Sequence, residues 1–261
     1  MSLFFQDDEK RFTGVRQIGF ARYRELLSKN WKSFLAVGFV TLLFFIPFTA
    51  GLVYAILSKS TLLALVFSLI GGMIAGPGLA CLYDHVLRRM RNDQSEWWVA
   101  WKRAFRQNLK IAILTGVVQC GFVGMAVFVG ALMIWGATPP SLGSIALVLL
   151  GSLFLSALLT IWWPLAVLFS QKPLIQLKNC ILFILYHPGR MLGAAALQVA
   201  WWLLMLLLLP WTAFVVPVLG IWYITFLSMH IIYRSLNKEF KVEEQIRAAF
   251  PDNLPEEEYI P

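Results

Sequence analysis

The chain alternates long apolar runs with shorter charged ones. A bilayer core about 30 Å thick takes about 20 apolar residues in a helix. Six runs reach that length: Ser33–Leu57, Thr61–Leu82, Lys110–Gly136, Leu142–Phe169, Met191–Leu209 and Trp211–Tyr233. Ser58-Lys59-Ser60 separates the first two, Thr138-Pro139-Pro140-Ser141 the middle two and Pro210 the last two. Ser and Pro are the residues that break helices at such points. The pattern predicts an all-α polytopic membrane bundle of six transmembrane helices arranged as three hairpins.

The segments between hairpins follow another rhythm. In Gln94–Lys110, Trp97, Trp101, Phe105 and Leu109 recur every fourth residue with Trp98 beside them, and Lys102, Arg103, Arg106 and Lys110 lie off that stripe. A basic helix with an aromatic face is expected to lie in the membrane interface, so an amphipathic helix is placed near 94–109. Asp93 and Ser95 are its candidate N-caps. Its primary reading is an anchor fixing depth and tilt, and its functional reading is a docking surface built on Trp97, Trp101, Lys102, Arg103 and Arg106. A similar stripe runs through Phe20, Tyr23, Leu27 and Trp31. Leu174–Tyr186 is too short to span and is expected to tuck in as a helix stopped by His187-Pro188-Gly189. The domain plan is a cytoplasmic segment 1–32 with an amphipathic helix, a six-span membrane domain 33–234 and an acidic tail 235–261. In the tail, a short helix through Phe250 is followed by a disordered end carrying Glu256, Glu257 and Glu258.

Composition agrees with the pattern. Of 261 residues 59% are hydrophobic and 14% charged, with a net charge of +8; soluble domains carry about 25% charged residues. Placement of the cations gives orientation. Seven Lys and Arg precede the first span, seven lie between the second and third, three between the fourth and fifth, and four follow the sixth. Only Lys59 falls on the other side. Both termini are therefore expected in the cytoplasm, with anionic lipid as a partner of the basic side. No nucleic-acid recognition motif accompanies the charge, and nucleic acid is not an expected partner. The polar N-terminus and full-length first span predict no cleavable leader.

The three rising spans begin alike, at Ser28-Lys29-Asn30-Trp31-Lys32, Arg106-Gln107-Asn108-Leu109-Lys110 and Tyr186-His187-Pro188-Gly189-Arg190. Asn30, Asn108 and His187 are 78 and 79 positions apart. Each returning span holds a proline: Pro77, Pro164 and Pro217. A threefold unit of cytoplasmic helix, rising helix and Pro-bearing descending helix follows. Mitochondrial carriers also have three hairpins. Their odd helices carry Pro-x-acidic-x-x-basic, whereas here the prolines lie in even spans followed by Gly78-Leu79, Leu165-Ala166 and Val218-Leu219, which sets that family aside.

Within the spans, Gly72 and Gly76 form a small-xxx-small pair that lets helices approach closely. Pro77 frees a backbone carbonyl and, with Pro164 and Pro217, marks a candidate kink or packing site. No Asp, Glu, Lys or Arg lies at the centre of a span, which argues against proton pumping and ion coupling. Gln119, Gln198 and His230 are the candidate polar membrane sites. Trp162, Trp163, Trp201, Trp202 and Trp222 read first as packing and anchoring residues. Asp84-His85 and His230 lack metal-ligand spacing, and neither a phosphate-binding loop nor a nucleophile elbow is present. No cofactor, no metal and no enzymatic activity are expected. Cys81, Cys120 and Cys180 read as reduced, buried thiols.

The stretch Gly76-Pro77-Gly78-Leu79-Ala80-Cys81-Leu82-Tyr83-Asp84-His85-Val86-Leu87-Arg88-Arg89 resembles the YesL family of Gram-positive bacterial membrane proteins, with its Gly-rich descent, Ala-x-Leu-Tyr and following basic residues. Trp97–Lys110 stands where that family has a Phe-Phe-x-x-Phe-Lys-x-Asn-Phe-Lys-type segment, with Trp in place of the Phe pair, and the Leu177-Lys178-Asn179 to His187-Pro188 segment is also similar. The resemblance is strong over about 40 residues. It implies six spans with cytoplasmic termini and a link to carbohydrate uptake, and it supplies no catalytic residues. The functional expectation is a non-enzymatic accessory or scaffold component of the bacterial cytoplasmic membrane, partnered by a membrane protein such as a transport system. The alternative is a transporter of small neutral solutes.

Overall fold

The computed structural model describes residues 15–16, 18–93, 95–135, 141–169, 171–208, 211–249 and 258–259. Gln94, Gly136, the Thr138–Pro140 turn, Leu209, Pro210 and residues 250–257 of the tail lie outside the described residues. The chain is an all-α membrane bundle. Its helices are α1 (Gly19–Leu57), α2 (Thr61–Met90), α3 (Trp97–Trp135), α4 (Leu142–Leu168), α5 (Pro173–Tyr186), α6 (Pro188–Leu207), α7 (Thr212–Val215), α8 (Ile221–Phe240) and α9 (Val242–Ala249). A five-residue π turn, Val216–Gly220, joins α7 to α8. A two-residue parallel bridge pairs Val15–Arg16 with Glu258–Tyr259. Six helices are long and apolar enough to cross a membrane, in the order the hydropathy pattern predicts.

Their bounds differ from expectation at the charged ends. The boundaries expected at 32/33 and 109/110 fall inside continuous helices, because α1 and α3 each run 39 residues without a break. A helix of that length extends about 58 Å, nearly twice the hydrocarbon thickness. The segment near 94–109 is thus the first third of α3 rather than a separate helix lying flat. The stripe Phe20–Trp31 is likewise the start of α1. The physical reason is plain in the sequence. Glu, Leu, Lys, Arg, Ala and Trp continue a helix, and neither Gly nor Pro interrupts Phe20–Val37 or Trp97–Thr115. Only the third unit carries a breaker, and there His187-Pro188 divides α5 from α6. The sixth helix also runs seven residues beyond the expected Tyr233, to Phe240. Between α1 and α3 the start and the end are each displaced by 78 positions (Gly19 to Trp97, Leu57 to Trp135), matching the spacing of Asn30 and Asn108.

Local chemistry closes the turns. Lys59 takes a left-handed backbone, φ 51°, and the Ser60 hydroxyl accepts from Leu63 N–H to start α2. Ser141 caps α4 in the same way through Ser144 N–H. The Pro-bearing helices α1, α2 and α4 run unbroken through Pro47, Pro77 and Pro164. Pro217 instead sits in the π turn.

α2 and the sixth span form the centre. Half of the apolar window of α2 and 56% of that of the sixth span are buried, against 22–28% for the other four spans. The outer faces expose Leu, Ile, Phe and Val along the spans, the surface expected for lipid contact. The tightest pairing is α2 with α3. A Cβ on Gly72 would lie 2.5 Å from the Gly116 carbonyl, and one on Gly76 would lie 2.2 Å from that of Ala112. The helices therefore meet backbone to backbone. The small residues expected on α2 have an answering row on α3, Ala112, Gly116 and Gly124, which the sequence reading did not single out.

Candidate functional site

The charged helix ends gather at one pole. Arg22 at the start of α1 bonds Met90 and Asn92 at the end of α2. Phe169 after α4 meets Phe240 of α8, and His187 before α6 bonds Glu239 of α8. Lys59 lies in the turn at the opposite end.

At this pole α2 ends in a Schellman motif. Asn92 N–H donates to Arg89 carbonyl (3.1 Å) and Asp93 N–H to Arg88 carbonyl (3.0 Å), with Asn92 left-handed at φ 62°, a conformation Asn tolerates better than most residues. Arg22 covers this end. Its Nη2 donates to the Met90 carbonyl (3.2 Å) and to Asn92 Oδ1, and its Nη1 to Glu25 Oε2 (3.1 Å). A cation on the C-terminal carbonyls is also favoured by the helix dipole. Arg88 Nε donates to Asp84 Oδ2 (2.7 Å) and its Nη1 to Asp93 Oδ2 (2.9 Å). Arg89 straps the following loop through Asp93 and Ser95 carbonyls (2.8 and 3.0 Å).

Asp93 accepts from Ser95 N–H (2.9 Å), an Asx turn rather than the helix cap expected of it. The bond from Ala100 N–H to Glu96 carbonyl puts Glu96 at the cap position of α3. Burial alone would raise the Asp93 pKa. The Ser95 N–H and hydroxyl and the Arg88 guanidinium outweigh it and hold the carboxyl below the usual range. His85 is buried beside Phe34, ring to edge. The Ser33 hydroxyl donates to Asn30 carbonyl, so His85 Nε2–H donates to Ser33 Oγ (3.1 Å). Arg91 is 6% exposed, and its Nε and Nη1 reach no acceptor among the described residues.

The aromatic residues of α3 form a ladder. Trp97, Trp98, Trp101 and Phe105 stand with successive ring centroids 5.3–5.4 Å apart. Trp101 and Phe105 also pack on Phe44 of α1, so the stripe turns into the bundle. Trp98 remains on the outside, with Lys102 Nζ 4.9 Å above its ring, within cation–π range. Lys102, Arg103 and Arg106 are exposed. The candidate docking residues thus divide, with Trp97 and Trp101 half-buried and the three cations facing outward.

The candidate amides of the spans bond neighbouring side chains. Trp163 Nε1 donates to Gln119 Oε1, and Trp162 Nε1 to Gln176 Oε1 (3.3 Å). Gln198 Nε2 donates to Thr160 Oγ1 (2.8 Å) and Ser228 Oγ (3.0 Å), tying α6 to α4 and α8. His230 stands edge-on to Tyr23 at 5.6 Å. At the π turn around Pro217, Trp201 Nε1 donates to Gly220 carbonyl (3.1 Å) and Trp222 Nε1 to Val218 carbonyl (2.6 Å). Indole donors thus satisfy carbonyls where the helix loosens. The three cysteines are free and buried, and burial pushes the Cys180 thiol up to about 12.

The sequence reading missed Arg22, Arg89, Arg91 and Asn92, which it counted only as topology signals or passed over. The Arg-Asn-Asp run after a helix was the available sign of a capped terminus. Comparison with protein-family models, with characterised proteins and with solved structures finds no match.

Proposed function

We propose that the chain is a non-enzymatic accessory or scaffold protein of the bacterial cytoplasmic membrane, with both termini in the cytoplasm and its basic pole as the docking side. The supporting observation is the first third of α3. Its aromatic side is fixed against α1 through Trp101, Phe105 and Phe44, while Lys102, Arg103 and Arg106 stand exposed on the same rigid helix. A pre-ordered basic ridge presents charge to an acidic partner surface with little ordering entropy left to lose. The resemblance to the YesL family points to a carbohydrate transport system as that partner. The test is native electrophoresis of solubilised native membranes at endogenous expression. The wild-type chain is expected to migrate with a larger complex, and Lys102→Glu/Arg103→Glu/Arg106→Glu to migrate alone. A wild-type chain migrating alone would overturn the reading.

Transport of a small neutral solute draws less support. The amides it would use, Gln119 and Gln198, are bonded to Trp163, Thr160 and Ser228, and the glycine faces of α2 and α3 are closed on each other. Uptake by proteoliposomes would reverse this ranking.

A further inference from the structure

A second basic feature lies away from α3, where the start of α6 meets the last turns of α8. His187, Gly189, Arg190, Arg234, Ser235 and Lys238 line a cleft of about 500 Å³ there. Three permanent cations converge on it, and among the described residues no carboxylate is ion-paired with any of them. The nearby Glu239 is engaged by His187 Nε2 at 3.1 Å. Arg234 and Lys238 are four residues apart on α8, and like charges at that spacing repel.

Helix-end electrostatics accounts for Lys238, in the last turn of α8. It does not account for Arg190, which sits in the first turn of α6, at the end of the dipole that disfavours cations. Arg190 is nevertheless fixed on the cleft wall, its Nη1 donating to the buried Ser235 Oγ. Pro188 opens this 20-residue helix, and no side chain caps it. Gly189 and Arg190, in the first turn of this uncapped helix, line the cleft together with Arg234 and Lys238. Guanidinium forks, an ammonium and uncapped N–H groups at a helix start are together the chemistry that holds a phosphate.

The geometry points to a binding site for a phosphate group in this cleft, held by Arg190, Arg234 and Lys238 and by the first turn of α6. The group belongs to an anionic phospholipid headgroup or to a soluble phosphate, and the surroundings favour the lipid. α5, which leads into His187, buries Gln176, Cys180 and Phe183 and exposes Leu174, Ile181, Leu182 and Leu185. That outward apolar face sets the cleft beside acyl chains, where basic pockets between helices hold lipid headgroups. The site is independent of the α3 ridge and does not rest on the proposed function.

The experiment uses the full chain in mixed micelles, titrated separately with phosphatidylglycerol, phosphatidylcholine and inorganic phosphate. Bound lipid is counted by native mass spectrometry, and bound phosphate is read as protection against thermal unfolding. Arg234→Gln/Lys238→Gln is the test variant, since both side chains are exposed. Lys172→Gln/Lys178→Gln, at the cap of α5 and within it, makes the same change in net charge outside the cleft, and Lys238→Gln alone serves should the double variant fold poorly. Retention of phosphatidylglycerol over phosphatidylcholine, weakened about tenfold or more in the test variant and less than twofold in the control, supports the site with a lipid source. Protection by inorganic phosphate with the same dependence on the variants supports it with a soluble source. Binding of neither, or equal weakening in test and control variants, overturns it.

Discussion

Two glycine-to-alanine changes of identical chemistry should have opposite effects. At Gly76 an added methyl would lie 2.2 Å from the Ala112 carbonyl oxygen and 3.1 Å from Gly116 Cα. Ordinary carbon–oxygen contact needs about 1 Å more, and the obstacle is backbone that no rotamer change can move. α2 and α3 must separate locally, and overpacking of this kind costs about 1–3 kcal/mol. At Gly130, on the same α3, an added methyl meets nothing within 4 Å. There Gly→Ala gains about 0.5–1 kcal/mol of backbone entropy. The two variants should therefore differ by about 1.5–4 kcal/mol, which is about 10- to 700-fold in the folded-to-unfolded ratio at tenfold per 1.4 kcal/mol. Gly116→Ala meets the same contact from the other side, at 2.4 Å from the Gly72 carbonyl and 2.5 Å from Gly76 Cα. Once one methyl has parted the helices the second adds little, so Gly76→Ala/Gly116→Ala should cost less than the sum of the single changes. Unfolding by dodecyl sulfate in mixed micelles, followed by tryptophan fluorescence, measures all four. If Gly76→Ala proves as stable as Gly130→Ala, or the double variant is additive, the backbone contact between α2 and α3 is refuted.

Asn92→Gly and Asn92→Ala both remove one acceptor of Arg22, but only in Ala must a side chain with a Cβ take the left-handed backbone. The Ala variant should be less stable by about 1 kcal/mol, and equal midpoints in the same titration would contradict the Schellman assignment. Ser68 is fully buried and its hydroxyl finds no partner among the described residues, so Ser68→Ala should leave thermal stability unchanged or raise it, and a clear fall would reveal a hydroxyl bond. Gln198→Leu removes two bonds that join three helices and should cost about 0.6–2 kcal/mol, checked by the same unfolding assay. Asp93 has a pKa below its ordinary 3.8 in the folded chain, so its contribution is complete above about pH 5 and is lost as pH falls through the folded value. Thermal midpoints followed from pH 5 to pH 3 should therefore fall more steeply for the wild type than for Asp93→Asn, and parallel curves would remove Asp93 from the network.

The number and order of the spans were legible because lipid imposes one simple demand, about 20 apolar residues per crossing, and the six runs meet it without ambiguity. Where the helices begin was less legible. Lys102, Arg103 and Arg106 suggested a change of element at Lys110, since charge marks the edge of a hydrocarbon phase; a helix, however, ends at a breaker and not at a phase boundary. His187-Pro188 was read correctly for that reason. The Gly72 and Gly76 pair was visible, whereas its counterpart of Ala112, Gly116 and Gly124, spaced by four and eight residues, was masked by the larger residues between. The capped end of α2 lay further out of reach. Arg22 is 68 positions from Met90, and no periodicity links an arginine to a carbonyl at that distance. The cleft between α6 and α8 likewise depends on a helix start meeting a helix end, which hydropathy does not encode.

The length of α3 has a mechanical meaning. It contains no proline, so it lacks the usual point of sharp helix bending. Lys102 and Arg106 near its start are thus carried on the same unbroken helix as the apolar residues that pack in the bundle. This helix is seated against α2 where Gly72 and Gly76 meet Gly116 and Ala112, so a displacement of either backbone there is met by the other. The sixth span differs, since it is wound more widely at Val216–Gly220. The bundle thus sets one continuous proline-free helix beside a span whose winding changes partway along it.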